Sequence, residues 1–328
     1  MAVDRARVVG DFDFVVDAVS RNYSGYPDKV TAVNEQIYSE FTDVLRQKYA
    51  DADSLESRLG SVSEWLGFFA DLHLSLSSDH LASSGMSNQS TEPRVELIDN
   101  RSSLVRIPSF LPEYLETIKD LMSAHHDEIT RRNNLIIDLR GNSGGSDDGM
   151  EILLPYVHSG QLEIVGADVR SSVDNARYLR EVMQMHEFPD ETKRVIEERA
   201  AEMERHPDRF VDWVPTSTVE LGEALEKPRR VGVVVDRHCA STTEQFLILA
   251  TQSSKVVIFG ENTAGCIDYS NVVSVKLPSG EGTLNYPITR SKRVGSAPID
   301  GVGIAPDVTM DPQAKNLIAE VARVLDGR

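Results

Sequence analysis

The chain has 328 residues, 40% of them apolar, which is long for one hydrophobic core and comfortable for two. With 34 Lys+Arg against 52 Asp+Glu, its formal net charge of -18 repels nucleic acid and anionic membranes, and no basic stripe offsets it. Two cysteines, Cys239 and Cys266, are too few for a disulfide framework or a cysteine-rich metal site.

The opening MAVDRARVVGDFDF lacks the apolar run and small-residue cleavage site of a signal peptide, so a cytoplasmic location is expected. A chain trimmed of its leader, and so secreted or periplasmic, would read the same. No apolar run reaches the roughly 18 residues of a membrane span. Residues 1–70 form a predicted N-terminal helical region: DFDFVVDAVSRNY, VNEQIYSEFTDVLRQKYA and SLESRLGSVSEWLGFFADL place apolar residues at helical spacing.

The segment LHLSLSS, residues 72–78, alternates like a strand, and the polar passage 83–93 reads as a loop. VELIDNRSSLVRIPSF predicts two strands, and PEYLETIKDLMSAHHDEITRR a helix. Leu135 to Leu139 is a short buried strand running into RGNSGG and then the helix DDGMEILLPYV, an α/β unit.

Residues 160–228 break this rhythm. Two charged amphipathic helices, NARYLREVMQMHEF and PDETKRVIEERAAEMERH, follow each other without a strand and read as an inserted helical cap. The α/β pattern then resumes over 229–328 with the strand RRVGVVVD, the helix STTEQFLILATQ, the strand KVVIFGEN, a hairpin and an amphipathic closing helix. The expected domains are therefore 1–70, a first core part 71–159, the cap 160–228 and a second core part 229–328.

RGNSGG at 140–145 lacks the spacing of either phosphate-binding glycine motif. Its adjacent glycines suit an oxyanion hole, where backbone N–H groups converge on one point, or a tight turn needing positive φ. In VVVDRHCASTTEQF a strand becomes a helix. Ser241 there is placed either as an exposed nucleophile or as an N-cap, since Ser-x-x-Glu is also the capping-box pattern.

Of eight histidines, His80, His125, His126, His158, His186 and His206 have polar surroundings, and His238 is too close along the chain to swing into line with Ser241. His73 differs in lying in the apolar FFADLHLSL, as a core histidine or a base. Metal-ligand spacing is missing, and neither a metal nor a cofactor is expected.

LIIDLRGNSGG, VVVDRHCASTTEQF, FGENTAG and GVGIAPDV, in that order, resemble the tail-specific, C-terminal processing and tricorn-type serine peptidases. The resemblance implies an α/β fold with a crotonase/ClpP-like core of stacked strand-strand-helix units. It also implies peptide-bond cleavage through an acyl-enzyme, on a peptide or unfolded-protein substrate. It maps the nucleophile onto Ser241 and the oxyanion loop onto Asp138 to Gly145, with Gly144 or Gly145 and Thr242 donating. Where processing proteases carry a base lysine this chain has Cys266. The tricorn branch uses a histidine from an earlier segment instead, which maps onto His73, with Leu72 where that branch has a serine. The same resemblance places the orienting carboxylate at Asp300; Asp268, in GCIDYSN, is its rival, and Asp307 reads as a cap for the final turn.

The gap from Leu81 to Arg132 is too short for the PDZ domain these peptidases often carry, so shaping access falls to the 160–228 insert. Two alternatives share the motifs: an apolar-ligand-binding module like the family's retinoid-binding relatives, and a small-molecule esterase or amidase. A homo-oligomer is left open.

Overall fold

The run RVGVVV has no polar face, and a strand without one must be covered on both sides. In the computed structural model, which describes residues 5–81, 92–185 and 187–327, it forms the strand Arg230–Val235 at the middle of a six-stranded sheet. The sheet order is Val308–Thr309, Val256–Gly260, Arg230–Val235, Asn134–Asp138, Ser102–Arg106 and Arg94–Leu97. The first five run parallel and the last pairs antiparallel.

On one face, Ile137, Val233 and Val235 pack with Phe246 and Leu247 of helix Thr242–Ala250 and with Ile118 of helix Pro112–Ala124. On the other, Ile136, Val234 and Phe259 pack with Val321 and Leu325 of the closing helix Leu317–Gly327. Alternate residues of each strand thus serve opposite cores, and each buried Val, Leu or Phe contributes roughly 1.5–3 kcal/mol. This is the expected α/β core. Asp307, expected as a terminal cap, instead accepts the Ile258 N–H at 2.8 Å and braces a core strand.

The chain forms two compact units. The parallel sheet lies in the one built from Met86–Ile164, Thr216–Ile267 and Pro298–Arg328. The other comprises Met1–Gly85, Val165–Pro215 and Asp268–Ala297. Its helices Arg5–Asn22, Glu35–Asp51 and Leu55–Leu66 bury Phe12, Tyr49 and Trp65 in an aromatic core, where the Trp65 indole N–H donates to Thr42 Oγ1 at 2.9 Å. A five-stranded sheet completes this unit: Ser75–Ser77, Thr283–Ser291, Ala167–Arg170 and Phe210–Val214 in order, with Tyr269–Lys276 also paired to Thr283–Ser291.

Within 160–228 the two expected helices are Val173–Met185 and Asp190–Arg205, and they pack on the aromatic core through Leu179, Ile196 and Met203. The stretch also holds four strands, which the reading as a purely helical insert did not include. Gln161–Ile164 pairs with Ser217–Glu220 in the parallel-sheet unit, and Ala167–Arg170 pairs with Phe210–Val214 in the other. The loop at 83–93, save its last two residues, and His186 lie outside the described residues. Among the described residues, no helix is long and apolar enough to cross a membrane.

Candidate active site

Parallel strands end together, so the loops after Asp138, Val235 and Gly260 emerge at one edge of the sheet, where α/β proteins place their chemistry. The middle loop carries Ser241. Its backbone sits at φ 57° and ψ -125°, a conformation that costs a non-glycine residue on the order of 1–3 kcal/mol and persists only where neighbours enforce it. Three contacts enforce it here. The Ser241 N–H donates to the Cys266 carbonyl at 3.0 Å, the Ala240 N–H to the Asn142 carbonyl at 3.3 Å, and the Thr243 hydroxyl to that same carbonyl at 2.9 Å.

The Ser241 side chain makes no cap bond to the helix it precedes. Nor does Glu244 reach back to the Ser241 N–H, as a capping box requires. Fully buried, it accepts the Thr263 hydroxyl at 2.6 Å, the Gly265 N–H at 2.8 Å and the Cys266 N–H at 2.7 Å. Glu244 therefore clamps the loop whose Cys266 carbonyl holds Ser241. Ser241 therefore holds the N-cap position through its carbonyl, which accepts the Gln245 N–H at 3.0 Å, while its side chain caps nothing and the half-buried residue stands at a strained strand-to-helix turn.

Cys239 is not a competing nucleophile. It is fully buried, its thiol donates to the Leu139 carbonyl at 3.1 Å, and burial followed by the nearby Asp236 charge pushes its pKa well up, away from thiolate.

The glycine loop presses against this turn. A Cβ on Gly144 would lie 2.7 Å from Ser241 Cβ and 2.9 Å from the Thr242 nitrogen, and at φ 100° the backbone itself calls for glycine. Gly144 was expected as an oxyanion donor, but its N–H is committed to Asn142 Oδ1 at 2.9 Å. Among the described residues the Gly145 and Thr242 amides have no partner, so these two of the three expected donors remain available. The loop is anchored from below by Asp138, which pairs with Arg106 at 2.7 Å and Arg140 at 2.6 Å, and by Asp236 Oδ1, which accepts the Gly141 N–H at 2.9 Å.

The remaining expected residues divide between the units. Asp300 shares the unit of Ser241, and its Oδ1 accepts the Ile267 N–H at 2.8 Å. His73 and Asp268 belong to the other. The buried Asp268 pairs with Arg293 at 3.0 Å, so the rival carboxylate has a cation of its own.

His73 lies in a turn before Ser75–Ser77 rather than in the strand itself, because Asp71 accepts its backbone N–H at 2.9 Å and closes an Asx turn. The ring Nδ1 lies 2.7 Å from the Tyr269 carbonyl. A carbonyl only accepts, so a proton sits on Nδ1, and in the neutral ring the lone pair is on Nε2, the tautomer a general base requires. A backbone oxygen thus holds Nδ1, the role sequence reasoning gave to Asp300 or Asp268. Asp71 was missed altogether. Desolvation raises the pKa of its buried carboxyl group against the opposing hydrogen bond from Tyr23 at 2.7 Å, and this group stands beside His73. The sequence signal for it was Asp-x-His ahead of a strand.

The family model described as peptidase family S41 matches residues 101–310. No curated protein matches the chain in sequence. Among solved structures, the chain is similar to a putative peptidase from Parabacteroides merdae, at 15% identity and a TM-score of 0.65, over 99% of this chain and 97% of that one. It is similar to the photosystem II D1 C-terminal processing protease at 13% identity and a TM-score of 0.54, over 98% of each. Similarity to the tricorn protease, at 11% identity and a TM-score of 0.55, covers 99% of this chain and 37% of that one. At these identities the likeness is one of fold.

Proposed function

The chain belongs to peptidase family S41, and on that premise we propose that its serine-peptidase chemistry runs through Ser241 as nucleophile and His73 as general base. The observation that carries the nucleophile is the strained, uncapped Ser241 at a strand-to-helix turn beside two unpartnered amides.

Ser241 Oγ attacks the scissile carbonyl carbon as His73 Nε2 takes its proton. The oxyanion forms against the Gly145 and Thr242 N–H groups, each worth about 10²–10³ in rate. Collapse breaks the C–N bond, with the proton passing from His73 to the leaving amine. Water then repeats the sequence on the acyl-enzyme. The Tyr269 carbonyl fixes the tautomer, and Asp71, by accepting the His73 backbone N–H, holds the turn that carries the ring. The substrate is an extended stretch of peptide or unfolded protein.

Quenched peptide libraries read by mass spectrometry test this function. Wild type should cleave internal amide bonds, and Cys239→Ser should do so within about threefold, because the buried thiol's bond to the Leu139 carbonyl is one that a serine hydroxyl can also make. Cleavage of activated esters without any amide hydrolysis would replace the peptidase with an esterase, and loss of activity in Cys239→Ser would move the nucleophile.

A further inference from the structure

The helix that follows the glycine loop opens on Asp147, a carboxylate with no charge partner among the described residues. The Thr242 hydroxyl lies 2.8 Å from the Gly145 carbonyl and 3.3 Å from Asp147 Oδ1, so its one proton is shared between them. Asp147 is exposed, and among the described residues no Lys, Arg or His pairs with it. Partial desolvation raises its pKa, the Thr242 hydroxyl opposes that shift, and Asp148 adds to it.

An acid in the first turn of the helix Asp147–Glu151 suits the helix dipole, but Asp148 serves that purpose equally. What distinguishes Asp147 is its aim at Thr242, whose N–H is a proposed oxyanion donor. A fixed anion there opposes the negative charge that develops during acyl transfer. A cation delivered by the substrate cancels that opposition and gains a carboxylate partner in return.

We propose that Asp147 is a specificity-determining residue that selects substrates carrying a Lys or Arg side chain beside the scissile bond. This rests on the reading of Ser241 and Thr242 above.

The test reads binding first, so that it does not depend on hydrolysis. Ser241→Ala protein is titrated calorimetrically, in about 0.15 M salt to screen the net charge, with two acetylated, amidated peptides of alternating Ala-Lys or Ala-norleucine. The lysine peptide should bind roughly fivefold tighter. Adding Asp147→Asn should remove most of that preference, Asp147→Glu should retain it, and Asp148→Asn should leave it in place.

An undiminished preference in Asp147→Asn overturns the proposal, as does an equal loss in Asp148→Asn, which would mark a general field effect. The same peptides are then offered to protein with Ser241 intact. An Asp147-dependent binding preference without hydrolysis would sink the assignment of Ser241 while supporting that of Asp147.

Discussion

Ser241→Ala is expected to lower kcat by at least about 10³-fold while leaving KM and thermal stability close to wild type. The rate falls because the covalent route is lost, and what remains comes from the Gly145 and Thr242 amides and from substrate binding. Stability is spared because the strained turn is enforced through backbone atoms. The Ser241 N–H to Cys266 carbonyl bond and the Asn142 contacts survive removal of the hydroxyl. The variant thus separates chemistry from folding, with unfolding monitored by circular dichroism and turnover by peptide release. Turnover equal to wild type would end the assignment.

The second large effect is expected at Glu244, away from the reacting atoms. Its two oxygens accept three donors, from Thr263, Gly265 and Cys266, in a fully buried site. In Glu244→Gln one oxygen becomes an NH₂ group, which must face one of those donors.

A buried donor left unmet costs roughly 1–3 kcal/mol, and two donors meeting head-on cost no less. Glu244→Gln should therefore lower stability by about 2–4 kcal/mol. It should also lower kcat roughly 10–100-fold at temperatures where the protein stays folded, since loosening residues 263–266 releases the Cys266 carbonyl from Ser241. Glu244→Ala adds a cavity and is expected to be worse on both counts. If Glu244→Gln melts with wild type and turns over at the wild-type rate, the clamp is not what holds Ser241 in place.

Glu244 also marks where sequence reasoning reaches its limit. Ser-x-x-Glu reads identically as a capping box and as a serine followed by a buried clamp. The choice is made by partners 19 to 22 residues away, which no local pattern reports. The parallel strands were legible because burial on both faces leaves unbroken apolar runs such as RVGVVV and NLIID. The glycine loop was legible as a tight turn needing positive φ, which Gly144 and Gly145 adopt. That Gly145 and not Gly144 keeps its amide depends on Asn142 folding back on its own loop, a matter of side-chain direction.

Strands Ala167–Arg170 and Phe210–Val214 were hidden for a different reason. They are four and five residues long and flank two charged helices whose periodicity dominates the stretch. His73 was found through resemblance rather than pattern. Its anchoring by Asp71 and the Tyr269 carbonyl joins residues that are far apart in sequence in the second case and that look like ordinary turn chemistry in the first.

The most direct test of the account is covalent labelling with a fluorophosphonate, followed by peptide mass spectrometry, on wild type and His73→Ala. One label is expected, on Ser241, lost or strongly slowed when His73 is removed. A folded wild-type protein that takes no label, or takes it on another residue, would contradict it.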